Sequence, residues 1–254
     1  MSTNTHPLSY DEFLQQRCDS YNQTSGKLNE RDGYSCPSCN NRGDRWIISD
    51  GEILSQNCPD CTSIRKSIWL LKKSGLSDKT FDNFVVSEEW QRQLVAASKK
   101  FVQEDSGKWL YISGQSGSGK THICTSVLKE FIFCCHKESL LFEWAEKAKE
   151  LKRYINDPTY DDKLSVYKSV PVLYIDDFLK VKRGETPTAA DINLAFELLD
   201  YRDRKSLTTI ISSEFFINNV VSFDEALGSR IKFRAREYSL EIGRDARKNF
   251  RLKD

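Results

Sequence analysis

The sequence has no apolar run approaching the ~18 residues that a membrane-crossing helix needs, and its opening MSTNTHPLSYDEF lacks the basic-then-apolar order of a secretory leader. A soluble, cytoplasmic protein is the expectation. An excess of charge is missing as well: 38 Lys and Arg stand against 37 Asp and Glu, a net charge of +1. This excludes a uniformly basic nucleic-acid coat and an acidic tail, so any contact with nucleic acid must come from local patches. Nor do the eight cysteines form the pattern of a disulfide framework, because four fall into two CxxC pairs and Cys18, Cys124, Cys134 and Cys135 are scattered. Paired spacing of this kind points to metal. At 254 residues the chain can form one good-sized domain and a small appendage.

What is present is organised around one stretch. Gly114-Gln115-Ser116-Gly117-Ser118-Gly119-Lys120-Thr121 matches the phosphate-binding loop G-x-x-x-x-G-K-[ST] at every fixed position. The run Trp109 to Ile112 before it reads as a strand, and His122 to Cys135 after it as a helix. In a strand-loop-helix unit the glycines let backbone N–H groups curl around phosphate oxygens and the helix N-terminus adds its positive end. Lys120 would reach the β- and γ-phosphates, and Thr121 would ligate Mg²⁺.

Further along, Val170 to Asp177 reads as a buried strand ending in two carboxylates. A near-continuous apolar run suits a central parallel strand, and its C-terminal end is where ligands bind in such sheets. Asp176 is the expected partner of Mg²⁺ together with Thr121, and Asp177 the group that orients or deprotonates an attacking water. Ser139 to Trp144 reads as another strand and Ala145 to Ile155 as a helix, with Asn156 to Thr159 breaking the pattern. Ala189 to Arg204 reads as a helix on the sheet, and Leu207 to Ser213 as a strand whose polar end places Ser213 or Glu214 near the γ-phosphate. From Asp224 the chain turns basic, through Arg230, Lys232, Arg234 and Arg236 to Arg247, Arg251 and Lys253. Lys180, Lys182 and Arg183, just after the acidic strand, either face a channel for DNA or lie on a solvated loop.

Upstream, Cys36-Pro37-Ser38-Cys39 and Cys58-Pro59-Asp60-Cys61 flank two short strands, Trp46 to Ile48 and Glu52 to Leu54, joined at Asp50-Gly51. Two knuckles brought together by a hairpin give a four-thiolate site, which suits structural Zn²⁺ and leaves no open position for catalysis. A redox pair would instead place one CxxC at the start of a helix after a strand. Cys61 to Gly75 reads as an amphipathic basic helix, and Glu88 to Glu104 as a helix leading into the first strand. Between them, the phenylalanines of Thr80 to Phe84 either line an adenine pocket or seal the core edge. Residues 1–35 carry an amphipathic segment, Leu8 to Tyr21, with no assignable chemistry.

In this order, phosphate loop, acidic pair, Ser212-Ser213 strand and Gly228-Ser229-Arg230-Ile231 turn resemble an AAA+ ATPase. With the cysteine ribbon, the Thr80 to Phe84 segment, Gly-Lys-Thr-His and the terminal Asn249-Phe250-Arg251, the resemblance narrows to the bacterial and phage DnaC/DnaI helicase loaders. It implies an α/β P-loop NTPase domain over 76–254, a parallel sheet flanked by helices with a short or absent lid, preceded by a zinc-binding adaptor over 1–75. It also implies ATP, Mg²⁺ and Zn²⁺ as cofactors, with His122 among the nucleotide contacts. Arg234, with Arg230 as second choice, resembles an arginine finger reaching a neighbouring subunit; Arg251, with Arg247 as second choice, resembles a sensor arginine acting within its own subunit. The implied activity is slow ATP hydrolysis, stimulated by assembly or DNA. The implied partners are a replicative helicase, single-stranded DNA and further copies of this chain in an arc or ring. An IstB-like transposition regulator shares the ATPase core but usually lacks a ribbon, and a non-catalytic helicase-binding inhibitor is the more distant alternative.

Overall fold

Charge-capped and glycine-punctuated segments in this chain resolve into two compact units, residues 1–69 and 70–254, that divide inside one helix. The structure, a computed structural model, describes residues 8–182 and 184–252. Arg183 and Lys253, both named above among the basic residues, lie outside the described residues.

In the first unit, helix α1 (Tyr10–Gln23) starts at a capping box: Glu12 N donates to Ser9 Oγ and Ser9 N to the Glu12 carboxylate. Leu14 and Cys18, one turn apart, are its buried residues. A short helix α2 (Leu28–Asp32) and a 3-10 turn at Pro37–Cys39 lead to the hairpin of β1 (Asp44–Ser49) and β2 (Glu52–Asn57). Asp50 and Gly51, at φ 52° and 79°, supply the two left-handed residues that a tight hairpin turn demands. Tyr21 of α1 stacks on Trp46 of β1 at 3.9 Å between ring centroids, and Asn22 bonds both Trp46 N and Trp46 O. The helix thereby sits on the hairpin. Helix α3 (Thr62–Lys73) follows the second cysteine pair.

In the second unit, α4 (Glu89–Glu104) precedes β3 (Trp109–Gly114), α5 (Lys120–Phe133), β4 (Ser139–Glu143), α6 (Trp144–Arg153) and α7 (Tyr160–Ser169). Then come β5 (Val172–Asp176), α8 (Ala189–Arg204), β6 (Thr208–Ser213), α9 (Ile217–Phe223), α10 (Glu225–Ala235) and β7 (Ser239–Ile242). The five strands pair in parallel in the order β4-β5-β6-β3-β7. Strands β3 and β6 are buried along their whole length, as central strands covered by helices on both faces must be. The acidic strand β5 is therefore not beside the loop strand β3; β6 lies between them.

The expected strands at 109, 139, 170 and 207 and the helix Ala189–Arg204 are present within a residue or two at most ends. Helices α7, α9 and α10 and strand β7 were not anticipated. The expected turn at Gly228-Ser229-Arg230-Ile231 is corrected: these residues lie inside α10. Gly228 serves a helix crossing there, since a Cβ on it would meet Val221 Cα and N of α9 at 2.5 Å. After β7 the described residues hold 3-10 turns at Ala246–Lys248 and Phe250–Leu252 and no helical lid.

Candidate nucleotide site and metal centre

The end of β3 and the start of α5 open onto a cavity of about 620 Å³, within the usual size of a small-molecule site. Ser116, Gly117, Ser118, Gly119, Lys120 and Thr121 all line it. Gly119, at φ 87°, takes a backbone conformation that only glycine adopts freely, and it caps α5 with no side-chain acceptor. The first-turn N–H groups of α5 are left without a capping side chain, facing the cavity: an arrangement suited to an anion. Lys120 Nζ donates to Gly114 O at 2.9 Å and Gln115 O at 2.8 Å. Burial pushes its ammonium below the ordinary lysine range, while Glu214 and Asp177 pull it back up.

Thr121 Oγ1 donates to Asp176 Oδ1 at 3.1 Å, so the loop and the acidic strand meet directly. The same oxygen receives Ser212 Oγ at 2.6 Å and the Tyr174 hydroxyl. Burial raises the Tyr174 phenol well above its usual range, so it remains a donor to the carboxylate beside it. Asp177 N in turn donates to Ser212 Oγ at 3.0 Å, and Phe178 N to Ser212 O at 2.8 Å. Strand β6, lying between loop and acids, thus fixes the Asp176 carboxylate and the backbone of Asp177. Asp177 lines the cavity, where its Oδ2 accepts from Lys180 Nζ at 2.7 Å; Glu214 Oε1 stands 3.5 Å from the same nitrogen. Burial would lower the Lys180 ammonium, but the bonded Asp177 outweighs it and holds it above its ordinary value.

Two further walls come from distant segments. His122 Nε2 lies 2.8 Å from Thr80 O and 2.9 Å from Asn83 Oδ1, both acceptors, so this nitrogen carries the proton. Together with Lys129 Nζ on Ser77 O at 2.8 Å, it ties α5 to the segment holding Leu76, Lys79, Phe84 and Val85, all lining the cavity. Phe84 lines the cavity, whereas Phe81 is buried elsewhere against Lys99. From the C-terminal side, Gln115 exchanges two bonds with the Asp245 backbone, Phe250 N donates to Gly117 O at 2.8 Å, and Arg251 Nη1 donates to Ser116 Oγ at 3.2 Å.

The structure sorts the expected residues. Gly114 and Gln115 form the loop's base, His122 and Arg251 line the cavity, and Arg247 points into solvent, paired with Asp245 at 2.7 Å. Ser213 is buried with its hydroxyl donated to Phe178 O at 2.9 Å, and Glu214 faces the cavity in its place. Arg230 and Arg234 do not line the cavity of their own chain. Arg230 binds Asp200 at 2.9 Å and Asp203 at 3.1 Å and covers the Phe196 ring, while Arg234 donates to Gly107 O at 2.8 Å and approaches Asp203 at 3.3 Å. Lys180, read from sequence as facing a DNA channel or lying on a solvated loop, lines this cavity instead. Tyr174, Ser212 and Phe250 were not assigned from sequence, and only the alternation that puts Tyr174 and Asp176 on one face of β5 offered a signal for any of them.

In the first unit, Cys36, Cys39, Cys58 and Cys61 are buried with all four Sγ atoms within 4.8 Å of one another. Cys36 and Cys58 are 3.9 Å apart and Cys39 and Cys61 3.8 Å. Four thiolates at the ~2.3 Å Zn–S distance of a tetrahedral site stand about 3.8 Å apart, so the donor set and spacing fit zinc.

A P-loop fused to a parallel sheet, with an acidic strand one strand away and a polar strand end between them, defines an AAA+ nucleotide-binding protein. The family profile of the bacterial DnaA ATPase domain matches residues 76–235. The chain belongs to this family, and it is similar to the DnaC and DnaI helicase loaders. It is 30% identical over 224 residues to the phage-like element PBSX protein XkdC of Bacillus subtilis (strain 168), covering 82% of each. It is also 30% identical over 218 residues to the uncharacterised YqaM of that strain, covering 80% of this chain and 68% of YqaM. To the replicative helicase loader DnaI of that strain it is 31% identical over 119 residues, 46% of this chain and 36% of DnaI. Among solved structures, DnaI matches with TM-score 0.55 and 24% identity over 67% of this chain and 93% of its own. The DnaC helicase loader matches with TM-score 0.54 and 20% identity over 67% and 99%. The replication initiator DnaA bound to AMPPCP and single-stranded DNA matches with TM-score 0.53 and 20% identity over 67% and 51%.

Proposed function

We propose that this chain is an ATP-dependent loader that places a replicative helicase on single-stranded DNA, the cysteine ribbon contacting the helicase and nucleotide state controlling assembly and release. The observation that carries it is the joining of loop and acid through Thr121 and Asp176 in a fold shared with DnaI and DnaC. Bound ATP with Mg²⁺ would supply the phosphoanhydride that water cleaves in line. Lys120 neutralises phosphate charge, Thr121 and Asp176 hold the metal, and Asp177 orients the water. Arg251 reads the nucleotide from within the chain. Arg234, and Arg230 beside it, lie away from their own cavity, which suits a role at a neighbour's; Asp203 holds both until a subunit interface forms. The replicative helicase that DnaI loads and the single-stranded DNA bound to DnaA support the same reading, and the cytoplasm is the location it implies.

Steady-state ATP hydrolysis, with and without single-stranded DNA and the replicative helicase, tests it. Lys120→Ala is expected to abolish nucleotide binding, and Arg234→Ala to spare binding by the isolated chain while removing assembly-dependent turnover. A helicase pull-down with Cys36→Ser should lose the partner but keep ATP. Turnover unaffected by Lys120→Ala would sink the assignment.

A further inference from the structure

Besides Lys120 of the phosphate loop, the cavity is lined by Lys79, which pairs with Asp78, and by Lys180, which the sequence motifs do not account for. The turn after β5 places Asp177 at φ 52° and Leu179 at φ 58°, two non-glycine residues in left-handed conformations within three positions. Such conformations persist only where the surroundings enforce them, and they concentrate at functional sites. Here the enforcement is visible: Ser212 holds Asp177 N and Phe178 N, Ser213 Oγ holds Phe178 O, Lys180 N closes the turn on Asp177 O at 3.0 Å, and Phe178 and Leu179 are buried. The result is that Asp177 and Lys180 both line the nucleotide cavity.

Two carboxylates, Asp177 and Glu214, line this cavity, and each would repel a triphosphate. Lys180 Nζ lies between them, 2.7 Å from one and 3.5 Å from the other. Lys120 Nζ rests on loop carbonyls, whereas Lys180 Nζ rests on cavity-lining carboxylates that it can exchange for phosphate. Just past the end of β6, where Ser213 or Glu214 was expected near the γ-phosphate, it is the carboxylate Glu214 that lines the cavity.

Building on the reading of the cavity as a triphosphate site, we propose that Lys180 is its γ-phosphate sensor. With ADP its ammonium stays on Asp177 and Glu214. With ATP it passes to a γ-phosphate oxygen, and the same movement frees Asp177 Oδ2 to accept a hydrogen bond from water. One flexible side chain thus couples recognition of the third phosphate to release of the group that positions the nucleophile. An ammonium on a four-carbon stem, with three donors, can change partners in this way without backbone movement.

The test is equilibrium binding of fluorescent ATP and ADP analogues, with Mg²⁺, to the full chain. Lys180→Met keeps the stem and removes the charge. It should weaken ATP-analogue binding roughly tenfold, the loss of one charge-assisted hydrogen bond, and leave ADP-analogue binding within about twofold. Lys180→Arg should restore most of the preference, and Glu214→Gln, which removes a competing acid, should increase it. Equal losses for both nucleotides, or unchanged ATP binding in a folded Lys180→Met protein, would overturn the inference alone. If the wild-type chain bound neither nucleotide, or Lys120→Ala bound both normally, the site reading itself would fall, and this inference with it.

Discussion

Arg202, near the end of α8, is fully buried, and its guanidinium is met by carbonyls and one hydroxyl. Nη1 donates to Tyr167 O, Lys168 O and Val170 O, Nη2 to Thr208 O, and Nε to Thr209 Oγ1. One side chain therefore ties the end of α7 and the approach to β5 to the start of β6, at the N-terminal ends of the parallel strands, opposite the site. Replacing it with methionine preserves apolar bulk but strands several buried acceptors, each worth ~1–3 kcal/mol when left unpaired. Arg202→Met is expected to lower unfolding free energy by about 3 kcal/mol or more, read as a shifted denaturant midpoint at constant slope. Full stability in that variant would mean that water replaces the guanidinium. The same kind of bookkeeping explains the acidic pair: Asp176 Oδ1 is held by Thr121, Ser212 and Tyr174 together, and no two of those residues adjoin in sequence.

At the scale of elements, the crossing of α9 and α10 shows two opposed local effects. Glycine inside a helix costs ~1 kcal/mol relative to alanine, so propensity alone predicts that Gly228→Ala stabilises α10. The backbone of Val221 lies 2.5 Å from where the new Cβ would sit, and backbone cannot give way as a flexible side chain can. Overpacking of this sort costs ~1–3 kcal/mol, so the contact outweighs propensity. Gly228→Ala should lower the thermal midpoint; a raised midpoint would show that α9 moves aside freely. Because α10 carries both Arg230 and Arg234, the variant should also disturb assembly-dependent turnover before it disturbs nucleotide binding.

For the whole molecule, the division into a cysteine-bearing unit and a nucleotide-bearing unit makes a separable prediction. The first unit exposes Ile47, Ile48 and Leu54 on its hairpin, so its hydrophobic core is small and four thiolates must supply much of its cohesion. Thiol-reactive release of metal should liberate one zinc per chain and unfold this unit, seen as loss of the Tyr21–Trp46 stacking signal in near-ultraviolet circular dichroism. Nucleotide binding should survive. Loss of both together would mean that the two units fold as one. Among the described residues no helix is long and apolar enough to cross a membrane.

The phosphate loop and the cysteine knuckles were legible in the sequence because their chemistry is local: Gly114 to Thr121 and each CxxC carry their function within one turn of backbone. The buried strand ending at Asp176 was legible for a related reason, since a central parallel strand must be apolar almost throughout. What sequence could not supply is adjacency. Only the strand order, with β6 between β5 and β3, brings Ser212 onto Asp176 and puts Glu214 rather than Ser213 at the cavity. Only the return of the C-terminal segment distinguishes Arg251, which reaches Ser116 from 135 positions away, from Arg247, which pairs with Asp245 in solvent. And only the left-handed turn at Asp177 and Leu179, held by hydrogen bonds from a neighbouring strand, turns Lys180 from a surface lysine into a wall of the site. Those contacts arise from long-range packing of the sheet, which no short window of residues encodes.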